Sequence, residues 1–358
     1  MKIHALQTGT VRVKDRFLHP SPGRRRQLDL LLPGAWSEPL PIHCWAIEHG
    51  GTLLLIDTGE TATARDVPFA RFDVTVEQEL PGALARAGLS LADVSEVVLT
   101  HHHGDHVDGV VHVSAPVRVN DVELQFAGTA ASRVTRGLLR QPLPRGFAPE
   151  PLVLDDGPFG AFSRSRALSD DGRILAVATP GHTPGHISVI CIDDEGRHVM
   201  LAGDVSDTLE QLHARRADAV GPDPAVHVAT LETILAHCTE HATVYLPSHD
   251  PGSAARLRES TIVNQPPERT PMHAVVVNLT ITDPRAAGRA LHEQLVPRVS
   301  QAPGFVTGYW TAKGNTALSM FMFETEEAAN RMREQAAAGV PAGVVLDGIE
   351  VREVVAHA

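Results

Sequence analysis

Short apolar runs recur along the first two thirds of the chain, and most of them end in a turn or at a polar residue. Residues 42–47 and 52–56 are apolar and flank His49-Gly50-Gly51, which favours two strands joined by a hairpin turn. Residues 76–87 carry apolar positions at helical spacing, and the β-branched run 97–99 predicts a buried strand. Later runs predict four more strands, at residues 174–178, 187–192, 199–202 and 244–246, and a helix at residues 224–238. This pattern predicts sheets covered by helices.

Two segments interrupt the pattern. Residues 130–149 are richer in Arg and Pro and have a weaker period. They form either a lid over a site or an exposed excursion of the chain, and the excursion is the simpler interpretation. Residues 262–271 combine three prolines with polar residues and have no apolar period. We therefore predict a first domain at residues 1–262, a linker at 263–271 and a second domain at 272–358.

The second domain alternates strand and helix signals. The elements predicted from its apolar pattern and its helix caps are a strand at 273–281, a helix from Pro284 capped by Asp283, strands at 304–311 and 316–323, a helix from Thr325 and a strand at 348–355. The order βαββαβ is that of a ferredoxin-like domain. The chain as a whole is therefore predicted to be α+β.

Composition narrows the function classes. The formal charge of −12 and the lack of any block of like charges argue against a nucleic-acid or membrane partner, and they make a nuclease a weak candidate. No stretch is typical of a signal peptide or a membrane span. The three cysteines, Cys44, Cys191 and Cys238, lie in apolar runs without zinc-ligand spacing, which predicts buried free thiols. These features favour a cytoplasmic protein that acts on a small molecule.

A dense group of metal-ligand side chains follows the strand predicted at 97–99. The sequence THHHGDHVDG, at residues 100–109, offers His101, His103, Asp105 and His106. In an extended segment His101 and His103 point the same way, and the two later side chains return to the same cavity as a helix begins. Three imidazoles and a carboxylate suit a zinc-type divalent ion. His102, by the same alternation, is expected to face away.

Other predicted strands end in similar side chains. The strand at 174–178 leads into TPGHTPGH with His182, the strand at 199–202 ends at Asp204, and the strand at 244–246 is followed by His249. His186 is expected to support the His182 loop by hydrogen bonding. Closed structural zinc sites prefer cysteine ligands, so this set predicts a catalytic centre.

The motif HxHxDH and the later His, Asp and His resemble the metallo-β-lactamase superfamily over roughly residues 1–260. The resemblance implies an αββα sandwich with two metal ions. One ion would be held by His101, His103 and His182, the other by Asp105, His106 and His249, and Asp204 would bridge them. Asp57, in the run LLLIDTG, matches an aspartate that supports the ligands from behind.

Two divalent ions, best as Zn²⁺ with Mn²⁺ or Fe²⁺ as alternatives, can share a hydroxide and polarise a carbonyl group. Asp105 is the predicted catalytic residue, since a carboxylate there can pass a proton to the leaving oxygen. Within the superfamily the chain is most similar to the N-acyl homoserine lactonases, through LLLIDTG, TPGHTPGH and the helix from Asp223. These enzymes open a lactone ring. They usually have a tyrosine where this chain has Asp207.

Several alternatives stay open. Thioester hydrolysis of the glyoxalase II type is the nearest one. A persulfide dioxygenase, which holds one iron, is disfavoured by the complete second ligand set, and the same set disfavours a sensor with a vestigial metal domain. The second domain resembles the dimeric α+β barrels that include antibiotic-biosynthesis monooxygenases, through PGFVTGYW, ALSMFMFE and TEEAANRM. That resemblance favours a homodimer, with a separate ligand cavity or a role at the metal-site entrance as alternatives.

Overall fold

The protein is described by a computed structural model that covers residues 1–20, 26–139, 141–263 and 272–354. The chain divides into two compact units, Met1–Asn264 and Gln265–Ala358. The linker predicted at 263–271 lies, apart from Val263, outside the described residues. Among the described residues, no helix is both long and apolar enough to cross a membrane.

The first unit contains two sheets and a set of helices. Its first seven strands are β1 (Lys2–Val13), β2 (Leu40–His49), β3 (Thr52–Ile56), β4 (Ala70–Asp73), β5 (Val94–Leu99), β6 (Val117–Asn120) and β7 (Glu150–Leu152). They form one sheet in the order β4-β1-β2-β3-β5-β6-β7. The next five are β8 (Ser165–Ala167), β9 (Ile174–Ala178), β10 (Ile187–Ile192), β11 (His198–Gly203) and β12 (Thr243–Pro247). They form a second sheet in the order β12-β11-β10-β9-β8.

The helices of the first unit are α1 (Asp15–Leu18), α2 (Arg26–Asp29), α3 (Leu80–Arg86), α4 (Gly104–Val107), α5 (Asp121–Ala127), α6 (Ala130–Leu139), α7 (Leu209–His213), α8 (Pro224–Glu240) and α9 (Ser253–Glu259). The helix α8 begins at Asp223, whose carboxylate accepts hydrogen bonds from the backbone N–H groups of Ala225 and Val226. This cap satisfies amide groups that have no partner within the helix.

Alternation along the strands explains the layers. In β3 the side chains of Leu54 and Ile56 face the second sheet and pack in the core between the two sheets. Leu53 and Leu55 point the other way and pack in a cluster with Leu80 of α3. On the far side of the second sheet, strand residues form a similar cluster with residues of α8. Because both sheets are apolar on both faces, helices cover them from outside, and the predicted αββα sandwich is confirmed.

The predicted hairpin at 42–56 is confirmed, since β2 and β3 pair antiparallel with His49 opposite Thr52. The helix predicted from residue 76 begins only at Leu80. Residues before it form a turn in which the Gln78 amide donates to the Thr75 carbonyl, and Val76 is 68% exposed. The apolar spacing there was therefore misleading. The three predicted free thiols are confirmed as buried.

The segment 130–149 contains a helix that its weak period concealed. Ala130–Leu139 forms α6, and the prolines lie after it. Averaging over the whole segment mixed a good helical stretch with a proline-rich loop, and proline cannot continue a helix. None of the described side chains of α6 is buried.

The second unit is a four-stranded antiparallel sheet with helices. Its elements are β13 (His273–Ile281), α10 (Pro284–Ala290), α11 (Val296–Ser300), β14 (Phe305–Lys313), β15 (Thr316–Phe323), α12 (Glu326–Ala338) and β16 (Val344–Glu353). The strand order is β14-β15-β13-β16. Asp283 caps α10, as predicted. The helix predicted from Thr325 begins one residue later, at Glu326, and Thr325 is its cap. The last strand begins at Val344, earlier than predicted, because its pairing with β13 extends to Ile281.

Candidate metal centre

The candidate ligands lie where strands of both sheets end. His101 and His103 follow β5, which runs parallel to β3. In the second sheet Asp204 follows β11 and His249 follows β12, and these two strands are also parallel. The carboxyl ends of parallel neighbours lie at the same edge of a sheet, where functional sites are common. The fold therefore brings together side chains that are far apart in the sequence.

The first ligand group consists of His101, His103, His182 and Asp204, with one candidate ligand atom of each residue within 4.8 Å of the others. His182 Nε2 lies 2.8 Å from His103 Nδ1. Asp204 Oδ2 lies 3.6 Å from His182 Nε2 and 3.8 Å from His101 Nε2. Three imidazoles and one carboxylate therefore converge on one point.

The second ligand group consists of Asp105, His106 and His249, again with one ligand atom each within 4.8 Å. His249 Nε2 lies 3.4 Å from Asp105 Oδ2. Asp204 faces this group as well, with Oδ1 at 3.1 Å from His106 Nε2 and Oδ2 at 3.3 Å from His249 Nε2. The Asp204 carboxylate thus lies between the two groups.

Unpartnered polar atoms indicate what these groups are built to hold. Within the described part of the chain, His101 Nε2 is buried and lacks a hydrogen-bond partner, and the buried atoms His106 Nε2 and Asp204 Oδ1, although 3.1 Å apart, are not aligned for a hydrogen bond. Leaving such atoms unpaired is costly. Burial, reinforced by the neighbouring imidazoles, holds the pKa of His101 well below its usual value, and burial lowers the pKa of His103 to about 4. For His106, His182 and His249 burial opposes the charged form, but the neighbouring carboxylates outweigh it and raise the pKa, to about 9 for His182. Imidazoles packed together with carboxylates are a donor set that fits divalent metal ions, which displace the protons when they bind.

Asp57 supports the ligands from behind the strand ends. Its Oδ1 accepts a hydrogen bond from the Thr100 amide at 2.7 Å, and its Oδ2 accepts from Thr100 Oγ1 and from His106 Nδ1, both at 2.8 Å. The last bond fixes the His106 ring so that Nε2 faces the ligand groups. Asp57 has φ 60°, a left-handed conformation that aspartate tolerates better than most residues.

His186 supports the centre through the backbone. Its Nε2 accepts a hydrogen bond from the Asp204 amide at 3.0 Å, and its Nδ1 lies 2.9 Å from Thr179 Oγ1. The contact depends on Gly203, which has φ +61° and where a Cβ would lie 2.7 Å from His186 Nε2. The sequence predicted support of the His182 loop. The hydrogen bond to Asp204 is an additional role.

Glu123 is a supporting residue that the sequence did not reveal. It lies fully buried on α5, and its carboxylate accepts hydrogen bonds from the backbone amides of His102 and Gly185. It therefore joins the loops that carry the two histidine motifs. His102, which was expected to face away from its neighbours, belongs to neither ligand group, and its buried ring lies with Nδ1 3.6 Å from Glu123 Oε1.

Asp218 was also missed. His182 Nδ1 donates to Asp218 Oδ2 at 2.5 Å, while the amides of Val220 and Gly221 donate to Oδ1. Burial opposes ionisation of Asp218, but the His182 ring and these amides hold its pKa well below the usual value. A ligating histidine is generally expected to have its second nitrogen held by a carboxylate. The sequence contains several aspartates that could do this, so Asp218 could not be singled out.

Asp218→Asn is expected to weaken metal binding by about tenfold. The amide retains the shape and one acceptor, but it loses the charge that orients and stabilises the His182 ring. Competition with a chromogenic chelator measures the change. Asp223→Asn provides a matched control, because that side chain caps α8 and contacts no candidate ligand in the described bonds. Equal affinities of Asp218→Asn and the wild type would contradict the role of Asp218.

A cavity of about 580 Å³ opens onto the candidate ligands. Most of its wall is apolar and comes from side chains such as Val11, Phe17, Leu40 and Phe72. Residues of α6 form part of the wall, so this part of the segment 130–149 borders the candidate site. Asp207 also lines the cavity.

Comparison with known proteins identifies the family. The Metallo-beta-lactamase superfamily matches residues 37–249, which is more than half of the chain, and the protein belongs to this superfamily. A hydroxyacylglutathione hydrolase from Cupriavidus taiwanensis is 32% identical over 173 residues, or 47% of this chain and 51% of that protein. N-acyl homoserine lactonase AttM from Rhizobium radiobacter is 20% identical over 270 residues, or 73% of this chain and 97% of that protein. The chain thus spans about half the length of the first relative.

Solved structures show the same fold. An N-acyl homoserine lactone hydrolase with the product N-hexanoyl-L-homoserine bound at its catalytic metal centre has a TM-score of 0.55 at 18% identity, covering 73% of this chain and 96% of that one. AidC, a dizinc quorum-quenching lactonase, has a TM-score of 0.52 at 18% identity, covering 70% and 87%. At these identities the likeness establishes the fold of the first unit.

Proposed function

We propose that the protein is a metal-dependent hydrolase that opens a lactone or cleaves a small ester. The observation that carries the proposal is the position of Asp204, whose carboxylate lies between two complete groups of ligand atoms. We assign one ion to His101, His103 and His182 and the other to Asp105, His106 and His249, with Asp204 shared. Zn²⁺ is the preferred ion, because imidazole nitrogen dominates the donor set and Zn²⁺ favours nitrogen ligands.

When bound, divalent ions supply Lewis-acid polarisation of the scissile carbonyl and activation of water. The protein contributes the orientation of the ligands and a largely apolar cavity that limits competing water. Asp105 is the catalytic carboxylate in this proposal, since its Oδ2 faces His249 at the edge of the cavity and can hold a proton for the leaving oxygen. Asp57, Asp218 and His186 act as positioning residues.

The substrate is proposed to carry an apolar acyl group, because the cavity walls beside the ligands are mainly apolar. According to their names, the lactonases among the proteins of similar structure act on such acyl lactones. A thioester substrate is the second candidate, since the hydroxyacylglutathione hydrolase has the higher sequence identity over the shared segment. The extensive apolar wall favours an acyl lactone over a charged tripeptide thioester.

A substrate panel on metal-loaded protein tests the proposal. Acyl homoserine lactones, simple lactones, aryl esters and glutathione thioesters are compared by kcat/KM, together with the metal content of the same sample. We expect about two equivalents of zinc and lactone opening that stops on chelation and returns on zinc addition. Faster thioester turnover would select the second candidate. One iron with oxygen uptake would overturn the hydrolase proposal.

Asp207 is proposed to select substrates that carry a hydrogen-bond donor. It is buried, its Oδ2 lacks a hydrogen-bond partner among the described residues, and it lines the cavity. Burial, aided by Asp204, raises its pKa to about 7. Asp207→Ala is expected to raise KM about tenfold for an acyl homoserine lactone, which has an amide N–H, and to leave KM unchanged for a matched lactone without the amide. Equal changes for both lactones would contradict this role.

We further propose that the second unit is a ferredoxin-like domain that forms a homodimer. The element order and the strand order β14-β15-β13-β16 support this class. On its sheet, Tyr309, Leu318 and Val345 are exposed on the face opposite the core cluster that contains Phe321. Leu318→Glu is expected to shift the sedimentation coefficient from that of a dimer to that of a monomer, since a charge would be buried at the interface. A wild-type monomer would exclude the homodimer.

A further inference from the structure

The second unit has a cavity of its own between its sheet and its helices. The cavity has a volume of about 260 Å³ and a mostly apolar wall. The wall includes Val277 and Leu279 of β13, Leu291 and Leu295 between α10 and α11, and Leu346 of β16. All of the wall residues belong to the second unit, so this cavity is separate from the one that opens onto the candidate metal centre.

Alternation along β15 explains why this space is open. Phe321 and Phe323 point toward the helices and fill one end of the core, in a cluster with Val275. Ala317 and Ser319 lie on the same face of the strand, since side chains two residues apart point the same way. They are small, and both line the cavity. The sequence therefore places large side chains at one end of the strand and small ones at the other.

The helix α10 leaves the opposite wall open as well. Ala287, Gly288 and Leu291 lie three and four residues apart on one side of this segment, and all of them line the cavity. A Cβ on Gly288 would meet no atom within 4 Å, so crowding does not require a glycine there. Glycine is unfavourable inside a helix. A π-helical turn, which is frequent at functional sites, follows at Leu291–Leu295. The helix thus keeps a space that a larger side chain would fill.

Two polar side chains face each other across the strands of this mostly apolar wall. Trp310 of β14 pairs with Ser319 of β15, and both line the cavity. The indole Nε1 of Trp310 is buried and has no hydrogen-bond partner within the described part of the chain. A buried donor without a partner is unfavourable, and a buried indole N–H usually has one. An oxygen acceptor inside the cavity would satisfy this donor.

Arg298 of α11 adds a positive charge to the cavity. The residue is exposed and also lines the cavity, so its side chain lies at the opening. Among the described residues, no carboxylate lies within ion-pair distance of its guanidinium group. A guanidinium group presents a planar fork of donors that matches a carboxylate. The opening of the cavity is therefore suited to an anionic oxygen group.

We propose that the cavity of the second unit binds a small carboxylic acid with an apolar chain. The carboxylate pairs with Arg298 and accepts a hydrogen bond from Trp310 Nε1, because its two oxygens can serve both donors. The chain fills the space that Ala317 and Gly288 leave open. The volume lies below the range of about 300–1,000 Å³ that is typical of sites for drug-sized molecules, which limits the chain to a short or medium length.

Binding of sodium octanoate to the zinc-loaded full chain tests the proposal. Isothermal titration calorimetry compares the wild type with Gly288→Leu, in which the new side chain fills the cavity and suits the helix better than glycine does. Octanoate could also enter the cavity of the first unit, so the readout is the difference between the two proteins. We expect the variant to bind one equivalent less at equal zinc content. Identical isotherms, with a melting curve that shows a folded variant, would overturn the site.

Changes to the charged pair provide a second test that does not depend on filling the cavity. For the binding that Gly288→Leu removes, Arg298→Gln is expected to weaken octanoate about tenfold, and octanamide should bind the wild type about tenfold more weakly than octanoate. Trp310→Phe, which retains an aromatic wall, should weaken octanoate about fivefold. Arg285→Gln removes an exposed arginine of α10 outside the cavity wall and should bind as the wild type does. Equal affinities of Arg298→Gln and Arg285→Gln would exclude a carboxylate ligand.

Discussion

Replacing Asp204 with alanine is expected to lower kcat/KM for the best lactone or ester substrate on the order of a thousandfold. The carboxylate lies 3.1 Å from His106 Nε2 and 3.6 Å from His182 Nε2, so its removal takes the proposed shared ligand from both groups at once. Metal content should fall from about two equivalents to one or fewer. Elemental analysis and initial rates on the same preparation measure both effects.

Asp193→Asn is the matched control for this variant. Asp193 precedes β11, whereas Asp204 follows it, and its carboxylate forms a salt bridge with Arg197 at 2.8 Å. The control should retain activity and metal, because a partly exposed ion pair contributes little. An Asp204→Ala variant with wild-type activity would contradict the assignment of the centre and with it the proposed hydrolase.

Replacing Asp57 with asparagine or alanine is expected to weaken metal binding by about tenfold to a hundredfold. Asp57 accepts hydrogen bonds from Thr100 and His106, so its loss frees a ligand ring and a strand end together. Alanine must in addition adopt φ 60°, which costs about 1–2 kcal/mol, whereas asparagine tolerates this conformation. Chelator competition measures the metal affinity, and thermal melting measures the stability.

The two Asp57 variants distinguish ligand support from backbone strain. Both should lose metal affinity, but Asp57→Ala should have the lower melting temperature in the metal-free form. If asparagine bound metal as tightly as the wild type, the charge of Asp57 would be irrelevant to the centre. If both variants lost stability but not affinity, Asp57 would serve the strand end alone.

The strands and the ligand candidates could be predicted from the sequence because each depends on residues that are close together along the chain. Apolar runs such as residues 97–99 predict buried strands, and polar side chains directly after them must lie at a sheet edge. The same logic applied to His182, Asp204 and His249: the fold groups His182 and Asp204 with His101, and it places His249 next to Asp204. Their individual roles as ligands remain a prediction.

The supporting residues could not be predicted from the sequence, because their contacts depend on the tertiary fold. Asp218 is 36 residues from His182, and Glu123 is 62 residues from Gly185, in segments with no distinguishing local pattern. Likewise, α6 was concealed by the prolines that follow it. A periodicity averaged over a helix and a loop describes neither element. The part of the cavity wall that α6 forms could therefore not be assigned from the composition of the segment.

The candidate centre draws its ligands from both layers of the sandwich. His101 and His103 follow a strand of the first sheet, whereas Asp204 and His249 follow strands of the second. Ions held there would link the two sheets through their ligands, so the sheets could separate only after the ions had been released. At a free ion concentration a hundred times Kd, binding of such an ion adds about 2.7 kcal/mol to the free energy of unfolding. The supply of metal would then govern the lifetime of the folded protein as well as its chemistry.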